Sequence, residues 1–287
     1  MQESQMRRIV LSALLAAVFA TARTDAQQRP LVTEDPETVG SGLVLIEAGI
    51  DLQRDLLLPV SGLTGNLLRL PSFGVSFGAS SIVEIQVDGA IYNGFSVTDR
   101  DPFAPLAFRL DFAGDHTSSM EDLVIGTKVR LVAEAAGRPA FGVRFATKLP
   151  MASAESGLGL DTTDFHMSLL LGKTVQSIRI VGNGGLSILT DPSAGNQHNN
   201  VMTYGLSLAR AVAQGVEIVG EVNGRLDVSE GEPPPGTDNR GAIRGGARFT
   251  RGTVRIDGGV IIGLTPRDPS IGFTGGFTWV FRGFTIP

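Results

Sequence analysis

Charged residues in this chain stand at alternate positions of otherwise apolar stretches. In VEIVGEVNGRLDV, residues 216–228, Glu217, Glu221 and Arg225 alternate with valine, isoleucine and leucine. Side chains at alternate positions of a β-strand point to the same face of a sheet. Such a strand therefore has an apolar face and a second face whose acids and bases can form ion pairs or select ions.

Strand by strand, the alternation predicts a charged face on which acidic strands adjoin basic ones. Opposite charges on neighbouring strands can pair and fill the interior of a sheet, or line a constriction that selects ions. We interpret most of them as structural pairs. Arg244, Arg248 and Glu221 lie mid-strand on neighbouring strands and are the leading candidates for a constriction. The full set of lumen candidates is Arg244, Arg248, Arg255, Glu217, Glu221, Arg225, Lys128, Arg130, Arg144, Glu84 and Asp88.

A histidine and a serine two residues apart raise the possibility of nucleophilic catalysis. His166 and Ser168 lie in DFHMSLLLG, and such a pair can act as base and nucleophile. The outer-membrane phospholipase A has a His-x-Ser pair followed by Asn-Gly, whereas two leucines follow Ser168. The alternation also places His166 on the polar face of its strand, which in a membrane barrel is the face turned away from the lipid. We therefore expect a lumen or rim residue and no catalytic residue.

No cofactor or metal is expected from the remaining motifs. His116, His166 and His198 do not show the spacing of metal ligands. The chain has no cysteine, which excludes disulfides, thiolate metal sites and a lipid-modified N-terminal cysteine. No basic cluster with interleaved aromatic residues appears, so nucleic acid is not an expected partner.

The N-terminus has the layout of a secretory signal peptide. Two arginines precede an uncharged run at 9–20, and small residues offer cleavage sites at Ala22 or Ala26. The run is too short for a membrane-spanning helix, which needs about 20 residues. Residues 1–26 are assigned to the signal peptide. Their removal takes away three arginines and two acids, so the net charge falls from −5 to −6.

About twelve stretches of period-two alternation follow residue 42, and helical spacing is nearly absent. Most are longer than the about 5–6 residues of ordinary strands, and long enough to cross a bilayer, which takes about 9–11 residues. No run of 18 apolar residues predicts a transmembrane helix. The predicted strands are residues 43–52, 67–78, 81–92, 121–135, 139–150, 163–175, 176–189, 201–212, 215–228, 240–251, 253–265 and 270–281.

The predicted connections alternate in length, as they do in bacterial outer-membrane barrels with short periplasmic turns and long extracellular loops. An even number of strands lets the first and last strands pair, so that no edge remains. We predict an all-β fold, a closed antiparallel transmembrane β-barrel of about 12 strands. The long loops are predicted at 53–66, 93–120, 151–162, 190–200, 229–239 and a shorter TPRDP.

The barrel is assigned to residues 43–287, and residues 27–42 to an N-terminal periplasmic or lumen segment. LAFRLDF, at 106–112 within one predicted loop, also alternates. It would either extend the wall above the membrane or fold into the mouth, and it could change the strand count by two.

The last strand carries aromatic side chains on one face. In GFTGGFTWVF the residues on that face include Phe273, Phe277, Trp279 and Phe281. If the charged face lines the lumen, these aromatic residues contact the outer-membrane lipid. The C-terminal strand is also where we expect the barrel-assembly machinery to bind.

Two stretches resemble a family of outer-membrane proteins named for the meta-pathway of phenol degradation. The first is PLVTEDPETVGSG, residues 30–42. The second, residues 121–175, includes a hairpin, a strand ending in Lys-Leu-Pro and a glycine-rich loop into Thr-Asp-Phe. The resemblance implies a location in the outer membrane and passive uptake of small hydrophobic or aromatic solutes. A closed barrel with a structural or surface-interaction role, and a barrel lipid hydrolase, are the alternatives.

Overall fold

The computed structural model describes residues 29–193, 197–228 and 234–285, so the predicted signal peptide lies outside the described residues. These residues form fourteen strands and one short 3-10 helix, Ala107–Arg109. The strands are β1 (Leu43–Leu58), β2 (Leu63–Gly78), β3 (Val83–Ala90), β4 (Asn93–Arg100), β5 (His116–Ser119), β6 (Leu123–Val132), β7 (Ala140–Leu149), β8 (Asp164–Val175), β9 (Ile178–Thr190), β10 (His198–Ala213), β11 (Val216–Asp227), β12 (Arg240–Arg251), β13 (Val254–Gly263) and β14 (Ile271–Arg282).

The sheet closes on itself. Every neighbouring pair of strands is antiparallel, and β1 pairs with both β2 and β14. β3 and β4 are two halves of one wall strand, because β3 pairs with residues 72–78 of β2 and β4 pairs with residues 63–69. β6 pairs with β3 and β5 pairs with β4, so β5 and β6 are likewise two halves of the next wall strand. The described residues therefore form a barrel of twelve wall strands, which confirms the predicted fold class and strand count.

The third wall strand is interrupted at two residues and then continues. The backbone N–H of Ile91 donates to the carbonyl of Pro71 at 3.1 Å, and that of Leu70 donates to the carbonyl of Tyr92 at 2.8 Å. These bonds carry the pairing across the break. The prediction of a loop over 93–120 was therefore wrong in part, because β4 and β5 extend the wall there.

The alternation at 106–112 does not form a strand. Its centre is the 3-10 helix, and Phe108 is exposed while Leu106 and Leu110 turn inward. Here the apolar period reflects loop residues that pack on a cluster, not a sheet face.

The first predicted long loop, 53–66, was also wrong, because β1 and β2 leave a connection of 59–62 between them. A β-bulge interrupts the register between Gln53 and Leu56, and Asp55 within it has a φ of 54°. The bulge places polar residues out of step with the alternation. The alternation of apolar and polar residues is therefore lost at the bulge, although β1 continues beyond it.

The connections fall into two sets, one at each end of the barrel. The end with the short turns is the turn rim, and the end with the longer loops is the loop rim. The turn rim holds residues 79–82, 133–139, 176–177, 214–215 and 252–253. The loop rim holds residues 59–62, 101–115, 150–163 and 264–270, together with the described residues 191–193, 197, 228 and 234–239.

The two faces of the wall differ as the alternation predicts. On β11, Ile218 is 56% exposed on the outer face, whereas Val219 and Glu221 on the inner face are 3% and 5% exposed. An outer surface of this kind is stable against lipid, and the inner face holds the polar groups. Among the described residues, no helix is long and apolar enough to cross a membrane.

An apolar cluster lies inside the barrel at the loop rim. Leu56, Leu63, Phe95 and Val97 are buried there and pack against side chains from two loops, including Leu110 and Leu158. Burying such side chains contributes about 1.5–3 kcal/mol each. The cluster fixes loops 101–115 and 150–163 to the inner wall.

Candidate functional site

Residues 29–42, here called the N-terminal segment, contact inward-facing groups on most wall strands. The Arg29 guanidinium donates to the Ser72 hydroxyl at 3.1 Å, the Thr274 hydroxyl at 2.8 Å and the carbonyl of Gly275 at 3.0 Å. The backbone carbonyl of Arg29 accepts from the Arg248 guanidinium at 2.7 Å. These partners belong to β2, β12 and β14. The segment therefore begins against the side of the barrel where the sheet closes.

The segment next contacts β11 and then β9. The backbone N–H groups of Val32 and Thr33 both donate to the Glu221 carboxylate, with the shortest distance 2.8 Å. The Asn183 amide then bonds the Glu34 backbone twice, accepting from its N–H at 2.6 Å and donating to its carbonyl at 2.7 Å. Wall side chains thus bond backbone groups that have no strand partner.

The Glu34 side chain ends in a buried charge cluster. Lys128, with 0% exposure, has its Nζ 3.2 Å from a Glu34 oxygen and 3.3 Å from a Glu84 oxygen. Both contacts are ion pairs. The Gln86 amide donates to both carboxylates. Desolvation raises the pKa of Glu34, but Lys128 and Arg144 outweigh it and hold the pKa below its ordinary value.

The segment leaves the lumen at the turn rim through further charged contacts. Asp35 accepts from Arg179 at 2.6 and 2.8 Å, and Glu37 pairs with Arg130. The N–H of Val39 donates to Glu84 at 2.7 Å. Three acids of one short run are thus matched to bases on β6 and β9. The segment crosses the lumen in a defined path before β1 begins.

Glycines in the wall make room for this path. A Cβ at Gly172 would lie 2.9 Å from Pro36, and a Cβ at Gly276 would lie 2.6 Å from the Arg29 guanidinium. A Cβ at Gly205 would lie 2.8 Å from the Thr33 hydroxyl oxygen and 3.5 Å from its Cβ. Larger residues at these three positions would push the segment away from the wall.

The loop rim is narrowed by loop 150–163. The Asp122 carboxylate accepts from the N–H groups of Met151 and Ala152 at 3.0 Å each, and the Thr117 hydroxyl donates to the carbonyl of Ser156 at 3.0 Å. Leu158 packs on the apolar cluster. The loop therefore folds against the inner wall at the mouth.

Two cavities remain inside the barrel near loop 150–163. One, of about 340 Å³, is lined by leucines of β1 and β2 together with Arg69, Asp88 and Glu121. The other, the upper cavity, has a volume of about 290 Å³. They share Leu58, Lys148 and Leu158 as lining residues. The lumen therefore combines apolar and charged surface on the loop-rim side of the N-terminal segment.

The predicted lumen candidates lie on the inner face but do not form one ring. Arg244 is 3.4 Å from Glu221, Arg255 is 3.6 Å from Glu217, and Arg144 is 3.5 Å from Asp88. Glu84, Lys128, Arg130, Glu221 and Arg248 contact the N-terminal segment. Arg225 lies higher, at the upper cavity. The structure thus divides the candidates among pairs at several heights.

The aromatic residues of the last strand lie on the outer face. Phe273, Phe277 and Trp279 are 49%, 45% and 43% exposed. Phe281 is half-buried, with its ring centroid 4.3 Å from that of Trp279.

His166 faces inward and bonds a serine that sequence reasoning did not consider. Its Nδ1 is 2.7 Å from the hydroxyl of Ser187, which is 2% exposed. Asp164, the nearest acid in sequence, pairs with Lys148 at 2.7 Å and accepts from the N–H of Thr190. No described group completes a base-orienting triad around this pair. The described residues also hold no group of three side chains arranged for a metal.

Sequence reasoning missed the wall's partners on the N-terminal segment: Arg29, Glu34, Asp35 and Glu37. It also missed Asn183 and Gln86, which are uncharged. The signal that could have found the acids is the run TEDPE at 33–37, just before the first strand and without bases of its own. A run of acids needs bases, and the inner wall has them.

Solved outer-membrane barrels have similar folds. The COG4313 outer membrane channel from Pseudomonas putida F1 matches 86% of this chain and 98% of its own, with a TM-score of 0.58 and 13% identity. The translocator domain of the autotransporter NalP from Neisseria meningitidis matches 98% and 96%, with a TM-score of 0.46 and 11% identity. The CymD monoaromatic hydrocarbon channel matches 86% and 90%, with a TM-score of 0.42 and 10% identity.

At these identities the similarity shows the fold alone, an outer-membrane type of β-barrel. No protein-family model matches the chain, and no curated protein matches it.

Proposed function

We propose that the protein is an outer-membrane channel that takes up small apolar or amphipathic solutes by passive diffusion. The observation that carries the proposal is the pair of adjoining cavities within the barrel, which share three lining residues. A purely structural barrel of this width gains stability by filling its interior with side chains. Here space bounded by leucines and charged groups is kept open instead. The fold is shared with a protein described as an outer membrane channel, which agrees with this function.

In this proposal the N-terminal segment is the plug of the channel. Its contacts with the wall are mostly ion pairs and hydrogen bonds, and its apolar contacts are small, such as Leu31 against Ala209 and Val219. Such a segment can leave the lumen without unfolding the sheet. Because short turns face the periplasm in outer-membrane barrels, the proposal puts the turn rim on the periplasmic side. Displacement of the segment would then open the lumen to the periplasm.

Catalysis is not part of the proposal. The His166 and Ser187 pair has no described acid to orient the histidine, and Ser187 is buried within the wall. The structural and surface-interaction alternative is not favoured by a specific contact.

The test is a disulfide that fixes the plug. A Cβ built at Gly205 lies 3.5 Å from the Cβ of Thr33, within the range of about 3.5–4.5 Å that disulfides require. The chain has no native cysteine, so Thr33→Cys with Gly205→Cys gives one possible bond. The Thr33 hydroxyl, which would crowd the new Cβ, is removed by the first substitution.

Conductance of the refolded protein is measured in planar bilayers before and after reduction. We expect a closed barrel when the disulfide is formed and stable conductance steps after reduction, which a small apolar solute then blocks. The single variants Thr33→Cys and Gly205→Cys, treated in the same way, are the controls. A protein that inserts in the membrane but stays silent after reduction would overturn the channel proposal.

A further inference from the structure

Two arginines lie side by side in the wall of the upper cavity. Arg225 on β11 and Arg240 on β12 are direct partners in the antiparallel register, and both line the cavity. Like charges directly opposite on neighbouring strands are destabilising. An arrangement that places two guanidinium groups together needs either acids within the protein or an anion from outside.

The protein supplies little negative charge to this pair. Arg225 donates to the carbonyls of Asp238 and Gly236 at 3.0 and 2.8 Å, and no described carboxylate lies within 4.0 Å of it. Arg240 donates to the carbonyls of Arg267 and Leu57 at 2.9 Å each. Backbone carbonyls orient a guanidinium but do not neutralise it. Each side chain has five N–H donors, so donors remain for a ligand.

One acid lies close to the two arginines. Asp268 Oδ1 is 4.0 Å from Arg240, while Asp268 Oδ2 accepts from the N–H of Gly241 at 2.9 Å and from the Thr265 hydroxyl at 2.6 Å, so it supplies one negative charge to two guanidinium groups. Asp164 also lines the cavity, but its carboxylate pairs with Lys148 at 2.7 Å. The cavity therefore has an excess of positive charge at the two arginines.

Much of the remaining lining is apolar. Leu58, Val60, Leu158, Leu160 and Leu189 contribute to it, together with prolines from three loops. The volume of about 290 Å³ lies just below the range for small-molecule sites, about 300–1,000 Å³, and so suits a small ligand. A ligand that satisfies this lining has a short apolar body and one anionic end. Guanidinium forks bind planar carboxylates in a bidentate way.

We infer that the upper cavity binds small carboxylates with an apolar body, either a single ring or a short chain, with the carboxylate held between Arg225 and Arg240. The inference rests on the proposed function, because it names the class of solute that the channel takes up. The leucines hold the body of the solute, and the arginines select its charged end.

The experiment measures binding by calorimetry to the purified, folded full-length protein at neutral pH. Hexanoate and benzoate are the probes, and 1-hexanol and benzyl alcohol are their uncharged counterparts. We expect both acids to bind more tightly than the alcohols. Arg225→Gln and Arg240→Gln should each weaken binding of the acids about tenfold, and leave the alcohols unchanged, because each removes one charged hydrogen-bonding partner.

Arg210→Gln is the matched control, since Arg210 is an exposed arginine of the wall outside the cavity. Arg225→Lys keeps the charge and loses the fork, so it should restore part of the affinity for the acids. The shift in gel mobility between unheated and heated samples checks that each variant is folded.

Equal binding of acids and alcohols, or acid binding that Arg225→Gln and Arg240→Gln leave intact, would overturn the inference. That failure is separate from failure of the proposed function. A protein that conducts after reduction of the plug disulfide but shows no preference for acids remains a channel without this specificity. A silent protein that prefers the acids has the binding site but is not a channel.

Discussion

Lys128→Met should release the N-terminal segment from the lumen. In the native barrel the Lys128 ammonium lies between Glu34 of the segment and Glu84 of the wall, at 3.2 and 3.3 Å. Methionine has a similar length and no charge. The substitution therefore leaves two carboxylates facing each other, with Glu84 at 0% exposure. Glu84 is part of β3 and cannot leave, whereas Glu34 can leave together with the segment.

The size of the effect follows from the burial of the cluster. Removing one partner of a buried ion pair costs about 3–5 kcal/mol, because the remaining charge is left without compensation. Since every 1.4 kcal/mol is about a factor of ten, the docking equilibrium should shift by roughly 10² to 10⁴. Arg144, 4.0 Å from Glu34, offsets part of the loss and favours the lower end.

Hydrogen exchange followed by mass spectrometry measures this shift directly. The backbone N–H groups of Val32, Thr33, Glu34 and Val39 donate to wall side chains, so they exchange only when the segment undocks. We expect peptides that cover 29–42 to lose protection by the factor above, while peptides of β8 to β13 keep theirs. Bilayer conductance should rise in parallel.

Lys173→Met is the control for this substitution. Lys173 also pairs with a glutamate, Glu134 at 3.2 Å, but at the turn rim, and among the described residues no ion pair or hydrogen bond joins Lys173 to the N-terminal segment. Its replacement should leave exchange in 29–42 unchanged. If Lys128→Met also leaves that exchange unchanged in a folded barrel, the charge cluster does not hold the segment, and the reasoning is refuted.

Two further predictions concern the same lumen. The pKa of Glu34 is held below its ordinary value of 4.5, so its contribution to docking is complete above that pH and is lost as the pH falls through the lowered pKa. Protection factors in 29–42, which correct for the pH dependence of intrinsic amide exchange, should therefore fall in acid below pH 4.5 while conductance rises, and Glu34→Gln should show the lowered protection already at neutral pH; native protection in Glu34→Gln would contradict this. Arg244→Gln combined with Arg248→Gln removes two bases of β12, and the reversal potential in a salt gradient should shift toward cation selectivity by comparison with Arg210→Gln. Unchanged selectivity would exclude a constriction at these residues.

The sequence was sufficient to predict the strands of the wall, because the alternation of apolar and polar residues within a barrel strand shows which side chains face outward and which face inward. On β12 the predicted bounds, 240–251, coincide with the observed strand, and its neighbours differ by a few residues. Alternation failed at the bulge after Gln53 and at the break near Ile91, where the register depends on the neighbouring strand. It failed in the opposite sense at 106–112, where loop leucines alternate because they pack on Leu63 and Phe95. A local pattern cannot distinguish these cases.

The sequence was less informative about the site, because contacts there join residues far apart in the chain. Glu221 accepts from Val32 and Thr33, and Asn183 bonds Glu34, across separations of 149 to 189 residues. The upper cavity depends on Arg225 and Arg240 together with leucines of β1, β9 and loop 150–163. Pairing between strands could be inferred from the order of charges along the wall. Pairing with a segment that has no strand of its own could not.

Three bases of the lumen wall have their acidic partners on the N-terminal segment. Lys128, Arg130 and Arg179 on the wall face Glu34, Glu37 and Asp35 on the segment. A wall evolved for strength alone could place these acids on neighbouring strands, as it does with Glu221 beside Arg244. Acids on a separate segment make closure of the lumen depend on charge, with little apolar surface to resist undocking. That arrangement favours a plug that a change in charge can displace, and a barrel that stays folded when it does.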